Sequence, residues 1–369
     1  MFKQRKICLI YNYAQHYRST IFQFIDKEFD CNFVFGDKYL DIKKMDYSLL
    51  EHEVTEVKNC NLFIGHYQRG VLKQLFKGFN TYILLGDIKC LSTWMFAIFA
   101  KFLPNKKVYF WSHGLLCDNK KLKTLIYKFF FLLPNGSFIY NNRSRELLIK
   151  NGIAPHKLFT IYNSLSYDSQ LILRNGLKSS NIYQSHFKNN NKTLCFIGRL
   201  TKIKRLDLVI EAMYILKQKG EFYNLVLIGN GEIKSELQNL VSSRDLEEQI
   251  WFYGACYDEK ANAELIYNAD LCVSPGNIGL TAIHSLMFGC PALTNDDFNT
   301  QMPEYESIID GKTGCFFIKG DSNDLAQKIS SWFKCYSNLR EEIRKNCYLE
   351  IDTKWNPHTQ INILKKVLD

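Results

Sequence analysis

From Thr193 onward, short runs that are apolar along their whole length alternate with amphipathic segments: TLCFIG, a helix from Leu206, NLVLIG, a helix from Ile233, IWFYG, a helix from Ala261, DLCVSP. A strand apolar on both faces must be covered on both faces, which a parallel sheet flanked by helices achieves. The first helix fits this reading. Leu206, Val209, Ile210, Met213 and Leu216 fall on one stripe with Asp207, Glu211 and Lys217 opposite, and Gly220 ends it. The first half repeats the pattern less cleanly, with KICLIYNY, CNFVFGD, TYILLGD, KVYFWSHG and SFIYNN as strands and STIFQFIDKEF as a helix. At 369 residues the chain exceeds one ordinary core, so an α/β protein of two doubly wound domains is expected. Residues 173–192, polar and without a clear period, read as the linker. Two such domains leave a cleft at the carboxyl ends of their strands, where ligands of α/β sheets bind.

The net charge of +10 is unevenly placed: residues 1–165 hold 24 Lys and Arg against 12 Asp and Glu, while residues 166–369 hold 23 against 25. The basic first half points to an anionic partner. No nucleic-acid recognition motif accompanies it, so nucleic acid is set aside. The twelve cysteines show no pair at two-residue spacing, which suggests no zinc site and fits reduced cytosolic thiols. The N-terminus runs straight into a strand pattern without a signal-peptide core, and Lys101 and Lys128 interrupt the longest apolar runs. A cytoplasmic location is expected. The segment 119–134 joins Lys120, Lys121, Lys123 and Lys128 to an apolar stretch, a pattern suited to the surface of an anionic membrane, at the inner face of the plasma membrane, as well as to a core helix.

Three segments of the second half carry chemistry. FIGRLTKIKRLDLVIEAM (196–213) sets Arg199 and Lys204 in one loop after Gly198, and a guanidinium fork with an ammonium suits diphosphate oxygens. NLVLIGNGEIKSELQNL (224–240) turns on Gly229, Asn230 and Gly231, which with Gly198 are expected to line the donor site. A dinucleotide fingerprint would need a third glycine where Lys234 stands. DLCVSPGNIGLTAIHSLMFGCPALTNDD (270–297) places Gly276, Gly279 and Gly289 around a helix starting near Leu280, where backbone N–H groups favour an anion.

In this order and spacing the segments resemble the donor domain of retaining GT-B glycosyltransferases of family 4, over about residues 193–330. IWFYGACYDEKANAELIYNADLCVSP and MPEYESIIDGKTGCFF, with Pro303, Glu304, Gly311 and Gly314, extend the resemblance. It implies a GT-B fold of two Rossmann-like domains: an acceptor domain over 1–170, rejoined by a C-terminal helix at 350–369, and a donor domain over 190–345. It also implies that Arg199 and Lys204 neutralise the leaving diphosphate, that Gly279 and Leu280 meet the same phosphates through backbone N–H groups, and that no metal or other cofactor is needed. Two glutamates with seven residues between them are usual in the family, and here Gly276 and His284 stand in their places. His284 is then the expected ribose contact and Asn277 the expected sugar contact. In the first half, Tyr17 and Arg18 resemble an acceptor-facing Tyr-Arg pair, and His113 in WSHG resembles a strand-end histidine near the reaction centre.

The resemblance implies retaining hexosyl transfer from a nucleotide diphosphate sugar, UDP-linked, to a glycan or polyprenyl-diphosphate-linked acceptor in cell-surface polysaccharide synthesis. The lost glutamates keep a second reading open, a catalytically impaired binding or regulatory protein on the same fold.

Overall fold

The computed structural model describes residues 6–38, 42–117 and 121–368. Two compact units divide the chain: Met1–Ser166 with Asn356–Asp369, and Tyr167–Trp355. The segment expected as a linker belongs to the second unit and is helical over Tyr167–Gly176 and Ile182–Phe187. Gln170 is the one buried residue of the first of these helices, so no apolar stripe announces it in the sequence.

The first unit is built on β1 (Lys6–Tyr11), β2 (Asp30–Gly36), β3 (Val54–Leu62), β4 (Gly65–Arg69), β5 (Thr81–Leu85), β6 (Lys107–Ser112), β7 (Gly136–Ile139) and β8 (Leu158–Thr160). Its helices are α1 (Ser19–Glu28), α2 (Leu91–Ala100), α3 (Lys121–Leu132), α4 (Asn142–Lys150) and the C-terminal helix (Pro357–Leu368). The sheet runs β4-β3-β2-β1-β5-β6-β7-β8 and is parallel except for the β3–β4 hairpin. Alternation along β1 feeds two cores. Ile7, Leu9 and Tyr11 pack with Ile21, Phe22 and Ile25 of α1 and with Ile361, Leu364 and Leu368 of the C-terminal helix. Cys8 and Ile10 pack on the other side with Phe96 of α2 and with Phe130 and Phe131 of α3.

The second unit holds α5 (Tyr167–Gly176), α6 (Ile182–Phe187), β9 (Thr193–Ile197), α7 (Leu206–Gln218), β10 (Asn224–Ile228), α8 (Lys234–Ser243), β11 (Ile250–Gly254), α9 (Glu259–Asn268), β12 (Leu271–Ser274), α10 (Thr281–Met287), β13 (Ala292–Asn295), β14 (Gly314–Phe317), α11 (Ser322–Tyr336) and α12 (Arg340–Thr353). Its sheet, β11-β10-β9-β12-β13-β14, is parallel throughout. After β9 the chain builds outward through β10 and β11, then returns to set β12 on the free side of β9. The strand order therefore reverses between β9 and β12, and their carboxyl ends open the crevice where such sheets take ligands.

Candidate functional site

The β9–α7 and β12–α10 loops meet at this switch point. Gly276 N–H donates to the Lys204 carbonyl (2.9 Å), and Lys204 Nζ donates to the carbonyls of Asn277 (2.6 Å) and Ile278 (3.3 Å). Burial lowers the Lys204 pKa to about 8; Glu304 opposes this and Arg199 adds to it. Glu304 is 2% exposed and is the one carboxylate among the described residues that acts on Lys204. Arg199 is exposed and makes no ion pair among the described residues. Gly279 has φ +53°, a turn conformation that favours glycine. The N–H groups of Gly279 and Leu280 donate to no protein acceptor among the described residues.

Side chains that sequence reasoning passed over hold this loop. Buried Gln301 accepts from Ile278 N–H (3.0 Å) and donates to the Gly276 carbonyl (3.0 Å) and Thr294 Oγ1 (2.9 Å), while Asn295 Nδ2 donates to the carbonyls of Pro275 and Gly276. A Cβ at Gly276 would collide with the Ile203 carbonyl oxygen. The missing glutamate is therefore incompatible with this backbone. The Asn277 amide nitrogen is already committed to the Thr300 carbonyl (3.0 Å).

The glycine turn at 229–231 serves packing. Added Cβ atoms at Gly229 and Gly231 would strike the carbonyl oxygens of Gly198 and Leu200, and Leu200 N–H bonds the Asn230 carbonyl (2.9 Å). The room these glycines provide is filled by the neighbouring loop rather than left for a phosphate. His284 lies one turn into α10 with Nε2 2.9 Å from Glu259 Oε1, so this nitrogen is not free for a ribose. Burial disfavours the charged Glu259, yet hydrogen bonds from His284, Gln170 and Asn262 hold its pKa below the ordinary value.

In the first unit, Arg18 does not reach outward as the acceptor contact expected of it. Only 8% exposed, it bonds the Tyr140 hydroxyl and lies over the rings of Tyr11 (5.2 Å), Tyr140 (5.2 Å) and Trp111 (5.9 Å). Tyr17 beside it is half-buried. The His113 ring lies 4.7 Å from that of Tyr140 and tilted 40° to it, and its buried Nδ1 has no hydrogen-bond partner among the described residues. Burial, aided by Arg18, lowers the His113 pKa to about 4, leaving a neutral imidazole at neutral pH.

The same unit presents two outward apolar stripes: Leu91, Ile98, Phe99 and Phe102 along and just beyond α2, and Leu122, Leu125, Ile126 and Phe129 on α3. The helices are neighbours, joined by Trp94 against Phe130 (4.8 Å) and by Lys101 Nζ on the Leu132 carbonyl (3.4 Å). Residues 88–135 contain eight lysines and one acidic residue, Asp118. Asn119 and Lys120 of the expected amphipathic segment lie outside the described residues. No described helix is long and apolar enough to cross a membrane.

Two parallel-sheet units, each doubly wound, with a switch-point crevice in the second, define a protein of the GT-B class. Residues 178–349 match the family model for glycosyl transferases group 1. The fold is similar to that of Anabaena HepE, solved in complex with UDP (TM-score 0.73, 15% identity, 98% of this chain and 99% of that one). It is also similar to a glycosyltransferase from Rickettsia africae (TM-score 0.74, 14% identity, 99% and 98%). In sequence, the chain is 27% identical over 150 residues to the putative glycosyltransferase EpsD of Bacillus subtilis, covering 40% of this chain and 38% of EpsD. It is 25% identical over 181 residues to the amylovoran biosynthesis glycosyltransferase AmsK of Erwinia amylovora, covering 47% and 43%. The chain thus spans less than half the length of these curated relatives.

Proposed function

We propose that the chain is a glycosyltransferase that moves a hexosyl group from a nucleoside diphosphate sugar, UDP-linked, to a glycan acceptor of a cell-surface polysaccharide, with retention. The carrying observation is the β9–β12 switch point. There Arg199, half-buried Lys204 and the unengaged N–H groups of Gly279 and Leu280 gather positive potential in one crevice. As the bond from the sugar's anomeric carbon to the diphosphate breaks, charge develops on the leaving oxygen, and these groups stabilise it. The acceptor hydroxyl attacks from the same face and passes its proton to the leaving diphosphate, so no side chain must act as a strong base. These cationic and N–H donors take the role a metal ion plays elsewhere. The naming of HepE with UDP and of AmsK in amylovoran synthesis supports the donor and the pathway class.

Tyr17 and neutral His113 are assigned to the acceptor side, with Arg18 as their scaffold. The apolar stripes of α2 and α3, set among lysines, support reversible docking on an anionic membrane at the cytoplasmic face, where a polyprenyl-diphosphate-linked acceptor would be presented.

The test is titration calorimetry and turnover with UDP-, GDP- and ADP-sugars. Tight binding and transfer of a UDP-sugar is the expected result. Gly276 and His284 favour the alternative of an impaired relative, whose signature is nucleotide binding without transfer or hydrolysis. Binding of none of the three would remove the donor assignment.

A further inference from the structure

A polar cluster outside the diphosphate crevice joins α5, α9 and α10. Glu259 Oε1 faces both His284 Nε2 (2.9 Å) and Gln170 Nε2 (2.6 Å), while Glu259 Oε2 has only the Asn262 amide at 3.5 Å. Gln170 is 4% exposed and the His284 side chain 15%, but the Glu259 side chain is 37% exposed. One carboxylate oxygen is thus saturated by two neighbours fixed in the core, and the other keeps capacity to accept. Such an arrangement aims a carboxylate rather than merely neutralising it.

The topology says what lies nearby. α9 opens and α10 begins on the carboxyl side of the sheet, before and after β12, and His284 falls one turn beyond Leu280 on the same side of α10. One turn is about 5 Å. In a nucleoside diphosphate whose phosphates rest on Arg199, Lys204 and the Gly279–Leu280 loop, the group at that remove is the ribose. A carboxylate repels phosphate but accepts well from hydroxyls, and a vicinal diol offers it two O–H donors.

We propose that Glu259, through Oε2, binds the ribose 2′- and 3′-hydroxyls of the donor nucleotide, with His284 and Gln170 as positioning residues that hold Oε1. The proposal rests on the donor reading above. It makes α9 the source of a carboxylate that α10, carrying histidine at 284, does not supply.

Titration calorimetry with UDP and 2′,3′-dideoxy-UDP tests it, with GDP and ADP and their dideoxy forms run in parallel. The parent protein should bind its preferred nucleotide about 30-fold more tightly than the dideoxy form. E259A and E259Q should lose most of that ratio by weakening only the ribose form, and H284A and Q170A should shrink it in part. The double variant E259H/H284E, which moves the carboxylate to α10, should recover discrimination. Equal weakening of ribose and dideoxy forms in E259Q would make the cluster a structural tie and overturn the proposal, as would a parent that does not discriminate. The last comparison needs no variant, so misfolding cannot rescue the idea. Failure of every nucleoside diphosphate to bind the parent would remove the donor reading and this proposal together; normal binding with an unchanged ratio in E259Q would remove this proposal alone.

Discussion

Lys204 and Arg18 are both drawn out of solvent beside the carboxyl edge of a parallel sheet, one in each unit, but their surroundings differ. Lys204 is met by two backbone carbonyls and the charge of Glu304, with exposed Arg199 in the same loop. Arg18 is met by three aromatic faces and a tyrosine hydroxyl. A lysine under partial desolvation gains when an anion arrives, because the anion restores the partner that burial removed. An arginine laid over rings, with one nitrogen on the Tyr140 hydroxyl and Nη1 buried without a partner among the described residues, is held by packing and works as a fastener. The same fold therefore yields a responsive charge in one unit and a fixed one in the other.

Substitution is the strongest way to break this comparison. Lys204→Ala and Arg199→Ala should each slow transfer about 100-fold or more, roughly 3 kcal/mol of transition-state stabilisation, with the melting curve nearly unchanged for exposed Arg199. Arg18→Met should do the reverse, costing about 2 kcal/mol of stability while nucleotide affinity holds. Steady-state kinetics beside thermal unfolding would show whether the two cations are in fact interchangeable.

Acid separates the units next. His113 titrates near 4 when folded against an ordinary 6.5. The unfolded chain therefore takes up a proton that the folded chain refuses, so stability present above pH 6.5 is lost as pH falls toward 4, by as much as ~3 kcal/mol. His113→Gln should flatten that slope. An unaltered slope of unfolding free energy against pH would show that His113 is not held neutral.

Membrane attachment should likewise belong to the first unit. At low salt, changing Lys121, Lys123 and Lys128 to Gln should lower binding to anionic vesicles, each lysine contributing about 1 kcal/mol, and added salt should mimic the change. Parent protein that sediments equally with neutral vesicles would show that α2 and α3 form no charge-assisted docking face.

A smaller effect belongs to Lys204. Its charged form prevails at pH 7, is halved near pH 8 and is minor by pH 9, so donor affinity should fall about tenfold between pH 7 and 9. Lys204→Arg should abolish the decline, and a decline that persists in that variant would have to come from another group. The smallest expected effect is that of EDTA: transfer should continue unchanged. Loss restored by manganese would instead promote Asp296 and Asp297, which follow β13 in the second unit.

How much of this was legible beforehand depends on how far each signal reaches along the chain. The second sheet was readable because a strand covered on both faces is apolar throughout, and strands such as LVLIG carry that property locally. Arg199, Lys204, Gly279 and Leu280 could be named as candidates because a βα loop collects its groups within a few residues. The β3–β4 hairpin was missed since its strands are half-exposed, and α5 since its buried face is a single glutamine. Sequence could equally mark His284 as standing where a glutamate is usual. That Glu259, 25 positions earlier, faces it is decided only when β12 carries the chain across the sheet and sets α9 beside α10. Gln301 is another such case, a polar loop residue whose role exists only because β13 brings its loop under Gly276. Local periodicity reports which faces are covered, because burial acts on each residue in place. Partnership between distant polar groups depends on the register of separate elements, and tertiary packing sets that register.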